Sequence, residues 1–247
     1  MNLSALQWIV LCLLLIVLFS FWGKNDARRA FRTIPAFQQL RRTIELAVED
    51  GSRMQISLGS GGILGPEAAA AFAGLTLLLQ VAEIAADSDQ PPLATTGEGN
   101  LMLLAQDTLR HSYSKLGIAD QYHLRLGQAT GLTPFSFAAG AMPMILDRKL
   151  SASTLVGSFG VETGLFTVAA QRAGGFSLGG SDNLNGQAIL YASADQPLIG
   201  EELFATGAYM DAGVTHQASL RTQDVLRWVI IFLLIITSLL PLFTGLP

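Results

Sequence analysis

Met54-Gln55-Ile56-Ser57-Leu58 alternates in the manner of a β-strand and runs straight into Gly59-Ser60-Gly61-Gly62-Ile63-Leu64-Gly65-Pro66. An Ala/Leu-rich stretch then continues to about Ala86. Strand, glycine loop and helix in that order read as the opening unit of an α/β fold. Upstream, Pro35 opens a helix predicted over 35–49. Ile34, Phe37, Leu40, Ile44 and Val48 recur at three- and four-residue steps, with Arg41, Arg42 and Glu45 off that stripe. Downstream, Pro91-Pro92 breaks the chain and Leu93-Ala94-Thr95-Thr96 reads as a second strand. Glu98 to Leu116 reads as a helix ended by Gly117, and Tyr122 to Leu126 as a third strand.

The second half continues the alternation. Thr133 to Leu146 is expected to be helical, bent or ended by Pro143. Leu155 to Phe159 reads as a strand and Val161 to Arg172 as a helix closed by Gly174-Gly175. Phe176-Ser177-Leu178 and Ala188 to Ala192 read as strands around a polar turn, Ser181 to Gly186, and a helix is expected from Pro197 to about Met210. The expected fold class is therefore α/β. It has a mostly parallel sheet flanked by helices, doubly wound in a Rossmann- or flavodoxin-like way, with one transmembrane helix at each end.

The terminal helices follow from two uncharged stretches, Leu3–Trp22 and Trp228–Pro247. Each has the length that crosses a hydrocarbon core of roughly 30 Å. Lys24, Arg28, Arg29, Arg32, Arg41 and Arg42 follow the first, and Arg221 and Arg227 precede the second; the outer tails carry no Lys or Arg. By the positive-inside rule the middle of the chain is cytoplasmic and both termini lie outside, in a bacterial inner membrane. The expected division is a span at 3–22, a cytoplasmic α/β domain at 23–224 and a second span at 225–246. The Lys24–Arg42 cluster is expected to flank the first span and meet anionic lipid headgroups. Met1 to Gln7 holds no Lys or Arg, and the large Phe21 and Trp22 stand where a signal peptidase needs small residues, so a retained anchor is expected.

Composition narrows the partners. The net charge is −4, which gives no general attraction to nucleic acid, and no nucleic-acid partner is expected. Cys12, inside the first span, is the only cysteine, so an intrachain disulfide and Cys-rich metal sites are excluded.

The candidate ligand-binding residues are Gly59, Ser60, Gly61, Gly62, Glu162, Glu201 and Glu202. A glycine loop between strand and helix can offer backbone N–H groups and a helix N-terminus to a phosphate. The dinucleotide pattern G-x-G-x-x-G finds Leu64 at its third glycine, with Gly65 one residue late, and no Lys supplies a P-loop. Glu67 would repel a phosphate at that helix start. A tight turn that packs helix on strand explains the same glycines. Glu162 interrupts an apolar run from Leu155 to Ala169, where a carboxylate needs solvent or a donor. Glu201 and Glu202 point about 100° apart on a helix, and both favour an N-terminal dipole. Together with Glu162 they could stand at the mouth of the sheet and hold a cation or an amine. His111, His123 and His216 have no i, i+4 partners, so no metal site is expected. Neither Ser60 nor Ser158 sits in a nucleophile elbow, and no residue is singled out as catalytic.

The layout is similar to that of a bacterial family of two-span membrane proteins catalogued as a domain of unknown function. The residues that carry the likeness are Gly157-Ser158-Phe159-Gly160-Val161-Glu162, Leu198-Ile199-Gly200-Glu201-Glu202-Leu203-Phe204-Ala205 and Gln223-Asp224. The resemblance implies a membrane-anchored α/β domain and supplies no activity. Two functions follow as expectations. One is a non-catalytic, homo-oligomeric binding or scaffolding domain tethered to the bilayer. The other is an enzyme or sensor that holds a nucleotide or phosphorylated small molecule at Gly59–Gly65; no cofactor is specified.

Overall fold

A parallel sheet has to be covered on both faces, because its crossover helices lie there, and the computed structural model shows both faces covered. It describes residues 3–22, 31–86, 88–147 and 150–244. One compact unit is Met1–Arg32 with Asp211–Pro247; the other is Thr33–Met210. The first contains α1 (Leu3–Trp22) and α9 (Val214–Thr244), which pack on each other. The second runs α2 (Pro35–Glu49), β1 (Arg53–Gly59), α3 (Ala68–Ala85), β2 (Leu93–Thr96), α4 (Gly99–Lys115) and β3 (Gly127–Ala129). It continues with α5 (Pro134–Ile145), β4 (Leu150–Ser158), α6 (Thr163–Ala173), β5 (Phe176–Ser181), α7 (Leu184–Ser193), β6 (Gln196–Leu198) and α8 (Thr206–Tyr209).

All six strands pair in parallel, in the order β3-β2-β1-β4-β5-β6. Strand order reverses between β1 and β4, which is the doubly wound arrangement of the dinucleotide-binding folds rather than that of flavodoxin. Period-two alternation sorts the side chains. Met54, Ile56 and Leu58 join Ala152, Val156, Leu178 and Leu198 in a core with α2, α3 and α4. Leu155 and Phe159 face a second core under α5, α6 and α7, where Phe137, Phe159 and Phe166 meet at centroid distances of 5.1–6.1 Å. Gly74 brings α3 down onto the sheet: a Cβ there would strike the carbonyl oxygen of Val156.

The centre of the sheet is polar. Gln55 donates through Nε2 to Ser57 Oγ at 2.6 Å and Thr95 Oγ1 at 2.7 Å, and its Oε1 accepts from Ser153 Oγ at 2.9 Å. All four residues are fully buried and knit β2, β1 and β4 side chain to side chain. Because every member has a partner, the network costs little to bury and specifies register.

Among the described residues, α3 is the one helix long and apolar enough to cross a membrane, yet half of it is buried within the domain. The segment Gln7–Phe21 of α1 is a shorter apolar helix. Of the basic residues expected at the lipid surface, Lys24, Arg28 and Arg29 lie outside the described residues. Arg41 gives its guanidinium to the Tyr209 carbonyl at 2.6 Å, and Phe37 stacks on the Tyr209 ring at 5.2 Å, closing α2 onto α8.

Three elements differ from the sequence expectation. The third strand is Gly127–Ala129 and not Tyr122–Leu126. Tyr122 is held by its hydroxyl to Gln106 O at 3.0 Å, and Leu124–Leu126 turns as a 3-10 helix. Gly127 can pair because a Cβ there would stand 2.9 Å from Gln106 Cγ. Ala188 to Ala192 is not a strand but part of α7, which Asn183 caps by accepting the Asn185 N–H at 2.9 Å. The polar turn is thus a strand end followed by a helix start. The expected helix from Pro197 to Met210 is split into β6, a 3-10 turn Gly200–Leu203 and the short α8. Gly200 takes φ +63, which interrupts any helix there. Pro197 is tolerated in β6 because that strand is the sheet edge and has only β5 to satisfy. Pro143 lies inside α5, which continues to Ile145.

Replacing Gln55 by Leu removes the acceptor and both donors at the centre of this network. The variant should lose about 2 kcal/mol or more, read as a fall in the denaturant midpoint of the full chain in detergent.

Candidate functional site

Ligands of doubly wound sheets sit beyond the carboxyl ends of the strands, at the reversal of strand order, so the β1 and β4 ends are the place to look. β1 closes on Gly59, whose φ is +86 and where a Cβ would strike the Ser158 carbonyl oxygen. The Ser60 N–H donates to that same carbonyl at 3.0 Å, and the Gly97 N–H donates to Gly59 O at 2.9 Å. The loop is thereby stitched to both neighbouring strand ends. Gly61 is also required by packing, since a Cβ there would stand 2.6 Å from Ser158 Cβ and 2.9 Å from Glu67 Cβ. Gly62 has open space, with no heavy atom within 4 Å of a Cβ built on it.

The amides at this edge are engaged by the chain's own carboxylates. The Gly62 N–H donates to Glu67 Oε2 at 3.3 Å. In the next turn the Gly160 N–H donates to Glu162 Oε1 at 2.8 Å, and Glu162 is 2% exposed. That answers how a carboxylate survives in the apolar run: it has a backbone donor. The Leu101 N–H donates to Glu98 Oε2 at 2.7 Å. Glu67, Glu98 and Glu162 hold the same position, immediately before the first residue of α3, α4 and α6. Each negative charge complements its helix's N-terminal dipole, and each occupies the ground that a phosphate would take.

Further along the edge, Ser181 Oγ bridges from β5 to β4: it accepts the Phe159 N–H at 3.0 Å and donates to Phe159 O at 2.8 Å. Asp182 Oδ1 is buried without a hydrogen-bond partner. Glu202 Oε2 accepts the Ile199 N–H at 3.4 Å beyond β6. The sequence candidates therefore separate. Gly59–Gly62 and Glu162 lie on adjacent strand ends, whereas Glu201 and Glu202 lie three strand spacings from β1, about 14 Å. Sequence reasoning named Glu67 only as an obstacle and passed over Glu98 and Asp182. A Glu one residue before three successive helices is the signal that could have found the pattern.

Taken together, the strand-end segments 59–67, 96–100, 158–163, 181–185 and 198–203 carry Glu67, Glu98, Glu162, Asp182, Glu201 and Glu202 and neither Lys nor Arg. Such an edge repels a nucleotide or a phosphorylated metabolite and suits neutral or cationic groups. Among the described residues no three His, Cys, Asp or Glu side chains gather as metal ligands would.

Comparison with known proteins adds one fact. The family described as Domain of unknown function (DUF6754) matches residues 1–246. The chain belongs to this family. Comparison with curated proteins and with solved structures gives no match. The kinship of the DUF6754 chain therefore carries no activity across to it.

The DUF6754 domain also has a groove of about 480 Å³ on the outer side of α4, lined by residues that include Leu103, Asp107, Arg110, Tyr122 and Leu124. Burial raises the Tyr122 phenol above its ordinary value of 10.0, with Arg110 lowering it and Asp107 raising it in turn. Tyr113, edge-on to Tyr122 at 5.7 Å, is raised by burial and by Tyr122.

Two outcomes follow. Gly61→Ala should lower the unfolding midpoint by about 1–3 kcal/mol through overpacking, while Gly62→Ala leaves it within about 0.5 kcal/mol; paired thermal melts check both. A tyrosine whose folded pKa lies above 10.0 stabilises the fold up to that pH and loses the contribution as pH climbs past it. Stability should accordingly hold below pH 10.0 and fall above it. Tyr122→Phe should make that alkaline fall shallower while costing about 1 kcal/mol at neutral pH for the lost bond to Gln106.

Proposed function

We propose that this DUF6754 protein is a non-catalytic, homo-oligomeric binding or scaffolding domain, anchored at the bacterial inner membrane by α1 and α9 and facing the cytoplasm. The observation that carries the reading is the carboxyl edge of the sheet. Its six carboxylates stand without a cation, and the glycine-loop amides already have Glu67 and Glu162 as acceptors. That leaves neither a phosphate cradle nor a set of acid, base and nucleophile in mutual reach.

The anchoring is supported by the character of the terminal helices. Along α1, Trp8, Ile9, Val10, Leu13, Leu14 and Phe21 are all exposed, on every side of the helix. Along α9 every residue from Trp228 to Ile236 is apolar and exposed. In water such a surface would be very costly; in hydrocarbon it is the solvated one. At about 46 Å, α9 exceeds the roughly 30 Å core and allows its first turns to stand outside it. The eight basic residues on the inner flanks set the orientation.

Two measurements test the reading. In right-side-out vesicles, a protease-sensitive tag at either terminus should be cleaved and one in the 59–67 loop protected; the reverse pattern would refute the orientation. A thermal-shift panel of nucleotides, coenzymes and phospho-sugars should leave the melting temperature unmoved. A rise of several degrees with a phosphorylated compound, of the size that about 2.7 kcal/mol of binding produces, would instead favour the nucleotide reading at Gly59–Gly65.

A further inference from the structure

The two helical layers that cover the sheet differ in charge. In α5, α6 and α7, Arg172 is the only Lys, Arg, Asp or Glu. On the opposite layer α2 carries Arg41, Arg42, Glu45 and Glu49, and α4 carries Asp107, Arg110 and Lys115. Yet the uncharged layer is not covered. Leu184 is 80% exposed, Tyr191 73% and Phe135 60%, and Val161, Leu165 and Val168 are also exposed. The pattern is helical: Val161, Leu165 and Val168 recur at steps of four and three along α6, and Leu184, Ala188 and Tyr191 do the same along α7. A helix whose inner stripe already fills the core, as Phe166, Ala169 and Ala170 do here, has no reason within its own domain for a second apolar stripe on the outside.

We infer that the outer face of α5, α6 and α7 is the surface through which two copies of this chain associate, face to face. The six exposed side chains offer apolar area on the order of 700 Å², more than the largest patch on a typical monomer and close to the roughly 800 Å² each partner gives to a standard interface. An isologous contact brings each patch against itself, so a charged patch would oppose like with like; a patch without charge meets its copy at no such cost. A bilayer is the poorer occupant. Helices that lie on membranes carry Lys and Arg toward anionic headgroups, whereas this layer's one cation is Arg172, and Glu162 and Asp182 precede α6 and α7.

The inference rests on the oligomeric part of the proposed function and not on its membrane part. The chain's single cysteine makes the test clean, because Cys12→Ser leaves it cysteine-free. In that background the full chain in detergent, carrying Val168→Cys or Tyr191→Cys, should form an intermolecular disulfide on mild oxidation. Leu103→Cys, exposed on α4, should not. The double variant Val168→Glu with Tyr191→Glu should halve the mass measured by light scattering at micromolar concentration and keep the wild-type denaturation midpoint. Mixing Val168→Lys copies with Val168→Glu copies should restore association. A wild-type monomer would overturn both this inference and the oligomeric reading. A wild-type multimer that the Glu variants leave intact, or that cross-links through Leu103→Cys instead, would overturn this face alone. So would maleimide protection of Val168→Cys in vesicles that hold single copies, since the bilayer would then be the cover.

Discussion

Where β1 runs beside β4, the strand ends come so close that neither Gly59 nor Gly157 can carry a side chain. A Cβ on Gly59 would strike the Ser158 carbonyl oxygen, and one on Gly157 that of Leu58. The sheet's reversal of order, the glycine loop and the placement of Glu162 all depend on that contact. Because the two backbones touch, the loop after β1 has no room to open toward β4, and α3 is drawn down with it until Gly74 meets Val156. A loop with the composition of a phosphate cradle is thus spent on packing at Gly59 and Gly61, and only Gly62 stays open. The Gln55 network reinforces the joint one layer deeper, where a slip by one residue would leave its buried hydroxyls without partners.

Periodicity made the first half of the fold legible. The α2 stripe and the Leu93–Thr96 strand coincide with their observed bounds, and Glu98 and Leu116 flank α4 as its caps. Short elements were illegible for a physical reason: three residues show no period. β3 and β6 owe their pairing to neighbours, through Gly127 against Gln106 and through a Pro197 that only an edge accepts. In α7, Ala188 to Ala192 is apolar throughout, and an apolar run of five fits a strand or a helix until the cap at Asn183 is recognised. The site was legible as a list and not as a geometry. Nothing in the spacing of Gly61, Glu162 and Glu201 tells that the first two share adjacent strands and the third stands at the far edge; strand order decides that.

Charge is distributed by role in this domain. Carboxylates collect where helices begin at the carboxyl edge, each complementing a dipole. The α2 and α4 surface mixes both signs, as a wetted surface does. The α5–α7 surface has almost none. This partition, more than any motif, points away from small-molecule chemistry and toward macromolecular contact.

The apolar character of α3 has a consequence for biosynthesis. Machinery that sorts nascent segments by hydropathy meets three candidates along this chain, not two, and the middle one is the helix that nucleates the sheet. If α3 partitioned into lipid, every later segment would be threaded with the opposite polarity and the 93–96 strand would have no partner to find. The domain is therefore in a race: β1 and α3 have to collapse on one another before the bilayer claims α3, although β1's second partner, β4, is still about ninety residues from emerging. Gln80 and Glu83, near the end of that helix, are the polar residues that tilt the contest toward folding.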